Sequence, residues 1–260
     1  MGGLTSDDHR PLPVGDHGDV VPEPPPQPLR NEFHTELDRI RTEIARLAAG
    51  VTEDILRATD ILLTQDLSGA EEMIIADDAI DVACLTLEQR CYRVLALQAP
   101  VASDLRQVVA AMRIIAEIER SADLAVNICK AARRTYGHQL DPRLRGIIQK
   151  MGDQAHQLFK EATEAYLTSD ATRAAALSDM DGYLDDLQRQ FVQTIFETHG
   201  ADKIDLPVAV QLAVVARFYE RIGDHAVNIG ERVRYVVTGW VPEHEGAARF
   251  ATRAAASDLD

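Results

Sequence analysis

Apolar residues along this chain fall three and four positions apart, the spacing that lines one side of an α-helix. Between Asn31 and Leu63 they stand at Leu37, Ile40, Ile44, Leu47, Val51 and Ile55. A second stretch, from about Ser68 to Leu97, carries Ile80, Cys84, Leu87, Cys91 and Val94, with Pro100 beyond it. A third, from about Ser103 to Tyr136, stops at Gly137, where a glycine can take the left-handed turn that ends a helix. Pro142 then opens the same three-part pattern again, and Pro207 punctuates it as Pro100 does. Strand-like alternation is essentially absent. The pattern predicts an all-α fold of six long helices, with Asn31 as the N-cap of the first.

The two halves can be laid on each other. Leu63, Thr64, Asp66, Asp77 and Asp81 recur 104 positions later as Leu167, Thr168, Asp170, Asp181 and Asp185. Glu119-Arg120, Asp123 and Ala125-Val126-Asn127-Ile128 recur 101 positions later as Glu220-Arg221, Asp224 and Ala226-Val227-Asn228-Ile229, and Asp104-Leu105 recurs as Asp205-Leu206. One connection shorter by three residues reconciles the offsets. The chain is therefore read as a tandem repeat of two three-helix bundles, over 31–138 and 139–240, because three amphipathic helices can close a core.

The ends differ from this body. Residues 1–30 hold seven of the 11 prolines and four of the 15 glycines, with almost no large apolar side chain, and are expected to form a disordered tail. Residues 241–260 are small and polar, and are expected to fray. The longest apolar runs are five residues, far below the roughly 18 that span a bilayer. No secretory leader pattern opens the chain, and three cysteines read as reduced thiols. These features predict a cytoplasmic protein. Forty-two acidic against 27 basic residues give a net charge of −15, which argues against nucleic acid and anionic membrane and favours cations.

Charge enters the apolar pattern at particular places. At about 100° per residue, Val108, Met112, Ile115, Ala122 and Val126 share an arc of the third helix that should face the core. Glu119 falls inside that arc, and Asp123 and Asn127 follow at four-residue steps. Glu220, Asp224 and Asn228 repeat the arrangement. Asp77 with Asp81, and Asp181 with Asp185, step by four on the second helix of each unit. Carboxylates four apart on a helix can converge on one ion, and uncompensated burial of such charge costs several kcal/mol at least. A compensator is therefore expected: a cation, an arginine or a proton.

Arg217 can serve Glu220, but its counterpart Ala116 cannot serve Glu119. Arg120 and Arg221 point away from the acidic edge and are expected to bridge to another helix. Hard carboxylate oxygens suit magnesium, manganese, calcium or ferric iron. His225 lies off the acidic face, and no Glu-x-x-His spacing supports a ferritin-like di-iron site. Cys84 and Cys91 read as core filling. Three readings stay open: a metal-bound scaffold, a carboxylate-bridged metalloenzyme, and an ion-paired helical adaptor without metal. No activated nucleophile is visible, which favours a protein that is not an enzyme.

Asp-x-x-x-Asp on the middle helix of each unit and Glu-Arg-x-x-Asp-x-x-x-Asn-Ile on the last resemble the PhoU family of phosphate-transport accessory proteins. So do Leu97-Gln98-Ala99-Pro100-Val101-Ala102-Ser103-Asp104-Leu105-Arg106 and Arg217-Phe218-Tyr219-Glu220-Arg221-Ile222-Gly223-Asp224-His225. The resemblance covers Asn31 to Thr238. It implies a six-helix bundle whose acidic motifs bind iron, manganese, magnesium or zinc. Carried over by position, Glu119, Asp123, Glu220 and Asp224 are the principal ligands, Asp77, Asp81, Asp181 and Asp185 complete the clusters, and Asn127 and Asn228 are weaker candidates. It further implies negative regulation of the phosphate-starvation response, between the ATPase subunit of a phosphate ABC transporter and a phosphate-sensing histidine kinase. A homodimer, and membrane association only through partners, are compatible with it.

Overall fold

The structure, a computed structural model, describes residues 27–201 and 204–239, with side chains from residue 32 onward. Of the disordered tail expected over residues 1–30, residues 27–30 are helical instead, and the remainder, like the tail expected over 241–260, lies outside the described residues. Six helices follow in order: α1 Gln27–Thr64, α2 Leu67–Gln98, α3 Ala102–Arg134, α4 Pro142–Thr168, α5 Ala171–Gly200 and α6 Leu206–Thr238. Among the described residues none of these is long and apolar enough to cross a membrane.

Helices α2, α3 and α4 start within one residue of expectation, but α1 begins at Gln27, ahead of Asn31, so Asn31 is not its N-cap. Pro28 explains how a proline-rich approach enters a helix: in the first turn its missing N–H is one of the donors left unbonded anyway. The repeated aspartates have local work. Asp66 Oδ1 accepts from Gly69 N at 3.0 Å, and Asp170 Oδ1 accepts from Thr172 N at 2.9 Å and Arg173 N at 3.0 Å. Both are N-caps, of α2 and α5. Each satisfies backbone donors that the first turn leaves without partners.

Helices α1, α3, α4 and α6 form a ring of four, each packing on two others of the ring; α2 flanks α1 and α3, and α5 flanks α4 and α6. Each three-helix unit is present, yet the units share one hydrophobic cluster with members from all six helices. The reason is visible on α3, which buries Ala110, Ala111, Ile114, Ile115, Ile118, Leu124, Ala125 and Ile128. That face is too wide for α1 and α2 to cover, so α6 covers the rest.

A pair of arginines records the duplication in space. Arg41 of α1 donates to the carbonyl of Tyr166 at 3.0 Å, to that of Leu167, and to Ser169 Oγ at 2.9 Å, at the end of α4. Arg145 of α4, 104 positions later, donates to Leu63 O at 2.6 Å, at the end of α1. Each of these helices thus satisfies the terminal carbonyls of the other, where a cation also suits the helix dipole. Between them the helices approach closely: a Cβ on Gly152 would stand 2.4 Å from Thr59 Oγ1, so only glycine fits. Thr59 and the fully buried Tyr219 share a 2.8 Å hydroxyl hydrogen bond that ties α1 to α6.

Candidate metal centres

Packing of α2 on α3 and of α5 on α6 gathers the predicted acids into two groups. In the first unit Asp77 and Asp81 of α2 lie within electrostatic reach of Glu119 and Asp123 of α3. In the second, Asp181 and Asp185 of α5 lie within reach of Glu220 and Asp224 of α6. All eight residues sort into these two groups, four to each, as the spacing predicts.

Their depth differs from expectation. Asp81, Asp123 and Asp224 are exposed, and Asp77, Glu119, Asp181, Asp185 and Glu220 are half-buried. The rows run along the seams where α2 meets α3 and α5 meets α6, at the edge of the apolar stripe and not inside it. By helical period Glu119 falls within the core-facing arc, because Ile115, Ala122 and Val126 bracket it. The real arc is narrower on that side, because α2 is a flanking helix and leaves the seam open to solvent.

Partial burial still makes the clusters costly. Desolvation, with repulsion from Asp123 and Asp81, pushes the Asp77 carboxyl up to about 6. Desolvation, with repulsion from Asp185, Asp224 and Glu220, does the same to Asp181, also to about 6. Burial and the neighbouring aspartates raise Glu119 and Glu220 in the same direction, against Arg120 and Arg217 respectively. Oxygens here lack protein partners: Asp77 Oδ1, Asp181 Oδ1 and Glu220 Oε2 are buried without a hydrogen bond. Such atoms need a ligand, a water or a proton.

Arginine pairs directly with a carboxylate of the seam on one side only. Arg217 pairs with Glu220 Oε1 on the same helix, as its three-residue separation allows. Arg120 does not bridge to another helix as expected; its Nη1 lies 3.8 Å from Glu117 Oε1, one turn back on α3. In the first unit Lys130 also draws on Asp77, while Glu88 adds a further negative charge near Glu119.

The donor chemistry therefore fits a hard cation, with at least one buried, unpartnered carboxylate oxygen in each seam. Among the described residues, however, no three His, Cys, Asp or Glu side chains converge as an ion would hold them. The acids are neighbours and not a closed shell. The three cysteines are buried and free; burial pushes the Cys84 thiol up to about 12, with Glu119 and Asp81 adding to the shift. It is a neutral core group, as the spacing suggested.

The two asparagines part company with the aspartates. Asn228 Nδ2 donates to Glu117 Oε2 at 3.2 Å, and His225 Nδ1 meets the same oxygen at 2.6 Å. Asn127 is half-buried, with no such partner among the described residues. Glu117, His225 and Asn228 form a polar contact across the α3–α6 face, with side chains only 13% exposed for Glu117 and 9% for His225. Burial alone would raise Glu117, but hydrogen bonds from His225 and Asn228 outweigh it and hold the carboxyl below its ordinary value. Sequence reasoning missed this group. Its trace is a break in the repeat: the positions equivalent to Glu117 and His225 are Phe218 and Leu124.

A family model described as the PhoU domain matches this chain twice, over residues 44–132 and 148–233, one match per three-helix unit. The phosphate-specific transport system accessory protein PhoU homolog 2 of Mycobacterium tuberculosis is 34% identical over 217 residues, spanning 82% of this chain and all of the relative. The crystal structure of PhoU from Pseudomonas aeruginosa superposes with a TM-score of 0.75 at 27% identity, over 80% of this chain and all of that one. That of the phosphate transport system regulatory protein PhoU from Streptococcus pneumoniae gives 0.74 at 27% identity, over 80% and 98%. Two matches in register, one for each unit of the fold, show that this chain belongs to the PhoU family.

Proposed function

We propose that this protein is a cytoplasmic, non-enzymatic negative regulator of phosphate uptake, and that it holds metal ions in its two acidic seams. Similarity to proteins named phosphate-specific transport system accessory proteins supports the transport role. The observation that carries the metal reading is the repeated one: buried, unpartnered oxygens of Asp77 in one seam and of Asp181 and Glu220 in the other. Glu119, Asp123, Asp77 and Asp81 would hold a cation in the first unit; Glu220, Asp224, Asp181 and Asp185 would hold one in the second. Iron, manganese, magnesium and zinc are all compatible with the donors, the oxygen-rich set favouring the harder ions.

A bound cation supplies positive charge that offsets the carboxylates and cross-links the flanking helix to the ring. The helices do the rest. With α2 and α5 fixed, their outer faces form stable surfaces on which a transporter ATPase subunit and a phosphate-sensing histidine kinase can dock, the protein serving as scaffold between them. A cation that binds only the folded state stabilises it by RT ln(1 + [L]/Kd), about 2.7 kcal/mol at a hundredfold excess over Kd.

Two measurements test this. Elemental analysis of the purified protein should find metal at each seam, and the Glu119→Ala/Glu220→Ala variant should lose it; chelation should lower the melting temperature of the first and not the second. In cells, loss of the gene should leave phosphate-starvation genes expressed in phosphate-replete medium. Metal-free protein that still represses those genes would separate regulation from metal and leave an ion-paired adaptor.

A further inference from the structure

Helix α2 is apolar on two sides. Its inner side, through Met73, Cys84, Leu87, Cys91 and Val94, is buried against α1 and α3. On its outer side Ile75, Val82, Leu85 and Tyr92 are each more than half exposed. Single exposed apolar residues need no explanation. These four are not scattered. With the exposed Asp78 and Gln89 they step by three and four residues from 75 to 92, the seven-residue period that lays one helix against another along a single seam.

The fold does not require this row. In α5 the positions equivalent to Ile75, Val82 and Leu85 hold Asp179, Asp186 and Arg189, and of the four only Tyr92 has an apolar equivalent, Phe196. Helix α5 flanks α4 and α6 as α2 flanks α1 and α3, so the same place in the bundle carries charge in one unit and apolar surface in the other. Apolar surface gathered on one exposed face marks a place of association.

The order of the row says what it associates with. It is self-complementary about a midpoint between Ala83 and Cys84. Laid antiparallel on a copy of itself, Ile75 meets Tyr92, Val82 meets Leu85, and Asp78 meets the Gln89 amide, which can donate to it. Along one edge the exposed Glu72 of each copy comes beside the exposed Arg93 of the other. Along the other edge Ile74 meets Leu95, while Asp81 and Glu88 meet nearer the middle. An unrelated partner gives no reason for such symmetry; a twofold contact between identical chains does.

We propose that the outer face of α2 pairs antiparallel with the same face of a second copy, in this register. The seam runs for about 26 Å and joins the two molecules edge to edge. One helix face is a small interface, at the weak end for specific association, so the dimer forms reversibly. The acids of the seam and a net charge of −15 per chain oppose it, and added salt should tighten it. Pairing depends on neither metal nor phosphate regulation. It covers α2 and leaves α5 exposed, so a protein docking on α2 must displace the second copy.

Sedimentation of the full-length protein should show a monomer–dimer equilibrium that moves toward dimer at high salt. Ile75→Asp/Val82→Asp installs residues that α5 carries at the same places, and should raise the dissociation constant more than about tenfold with far-UV circular dichroism unchanged. Ile75→Cys/Tyr92→Cys tests the register without added charge. These positions are about 26 Å apart along one helix, too far for a disulfide within a chain, and the native cysteines are buried. Oxidation of the pair should therefore link two chains, and neither single substitution should. Three outcomes overturn the proposal: a monomer at every concentration, which would leave α2 to a different protein; a dimer indifferent to both aspartates; or cross-linking through Ile75→Cys alone, which would mean a parallel seam.

Discussion

The two three-helix units descend from one pattern and have diverged at the places that matter most. Each carries four carboxylates in a seam between its second and third helices. The first seam adds Glu88 and Lys130; the second has Val192 and Glu231 at those positions, and Arg217 where the first has Ala116. Where α3 has Ala122 and Cys129 facing α2, α6 has Gly223 and Gly230 facing α5. A Cβ on Gly223 would stand 2.3 Å from Asp181 Oδ1 and 2.8 Å from Leu184 Cδ2. In the second unit, then, the helix backbone closes on the acidic side chain and an arginine pairs with Glu220; in the first, alanines stand at both of those places. Divergence of this kind predicts two unequal sites.

The largest single effect is expected where the repeat was broken altogether. Glu117→Ala removes the carboxylate that His225 and Asn228 share, stranding the buried His225 and the half-buried Asn228, and should cost about 2–3 kcal/mol in denaturant unfolding. Glu117→Phe with His225→Leu installs the side chains that the repeat has at the equivalent positions, and should recover most of the loss, since an apolar pair can replace a buried polar one. A double variant no better than the single would mean that the polar contact itself, and not merely filled space, holds α3 on α6.

Gly223→Ala comes next. In an open helix position such a change gains up to about 1 kcal/mol; here the added methyl meets Asp181 and Leu184, and overpacking should cost roughly 1–3 kcal/mol. Gly182→Ala, where nothing lies within 4 Å of the new Cβ, is the matched control and should stabilise. If both variants stabilise, α5 and α6 are not so close, and the two seams are more alike than they look.

The acids of both seams should make metal-free protein prefer mildly acid solution. Asp77 and Asp181 titrate near 6 in the folded chain against about 4 when unfolded, so folding takes up protons in that interval. Their favourable contribution is complete below about 4 and disappears as pH rises through 6. Glu119 and Glu220 shift the same way. Glu117 shifts oppositely, and its contribution fades only as pH falls below the ordinary carboxylate range. Chelated protein should therefore melt higher at pH 5 than at pH 7.5, and Asp77→Asn/Asp181→Asn should flatten the profile.

Much of this was legible in the amino-acid pattern. Six helices, their order, the repeat and the pairing of eight carboxylates into two groups follow from spacing, because helical period and duplication are properties of position alone. Depth was not legible. Glu119 shares an arc with Ile115 and Ala122, but how far that arc is covered depends on where α2 sits, and α2 flanks the ring without closing over the seam. The Glu117–His225–Asn228 contact was equally hidden, since it joins two units whose mutual packing no local period encodes. Arg120 misled for a related reason: a long side chain turned away from one neighbour found a partner one turn back on its own helix. Arg41 and Arg145, by contrast, stand 104 positions apart, and only the antiparallel packing of α1 on α4 reveals what that spacing is for.

The smallest effect is expected at Arg217, and it is the one that best separates the seams. Arg217 is 57% exposed, and an exposed partner of this kind adds little, so Arg217→Ala should change stability by less than about 1 kcal/mol. An adaptor held together by ion pairs would require far more. Charge in the second seam changes more than stability does: without the guanidinium, Glu220 loses the neighbour that opposes its raised pKa and becomes a freer ligand. Manganese titration of wild-type protein should then show two affinities, the weaker one belonging to the second seam. Arg217→Ala should bring them together, and Ala116→Arg, which supplies the first seam with the same cation, should draw them together from the other side by weakening the tighter site. If neither substitution moves either affinity, Arg217 does not govern the second seam, and the inequality must come from the closer approach of α5 to α6 at Gly223.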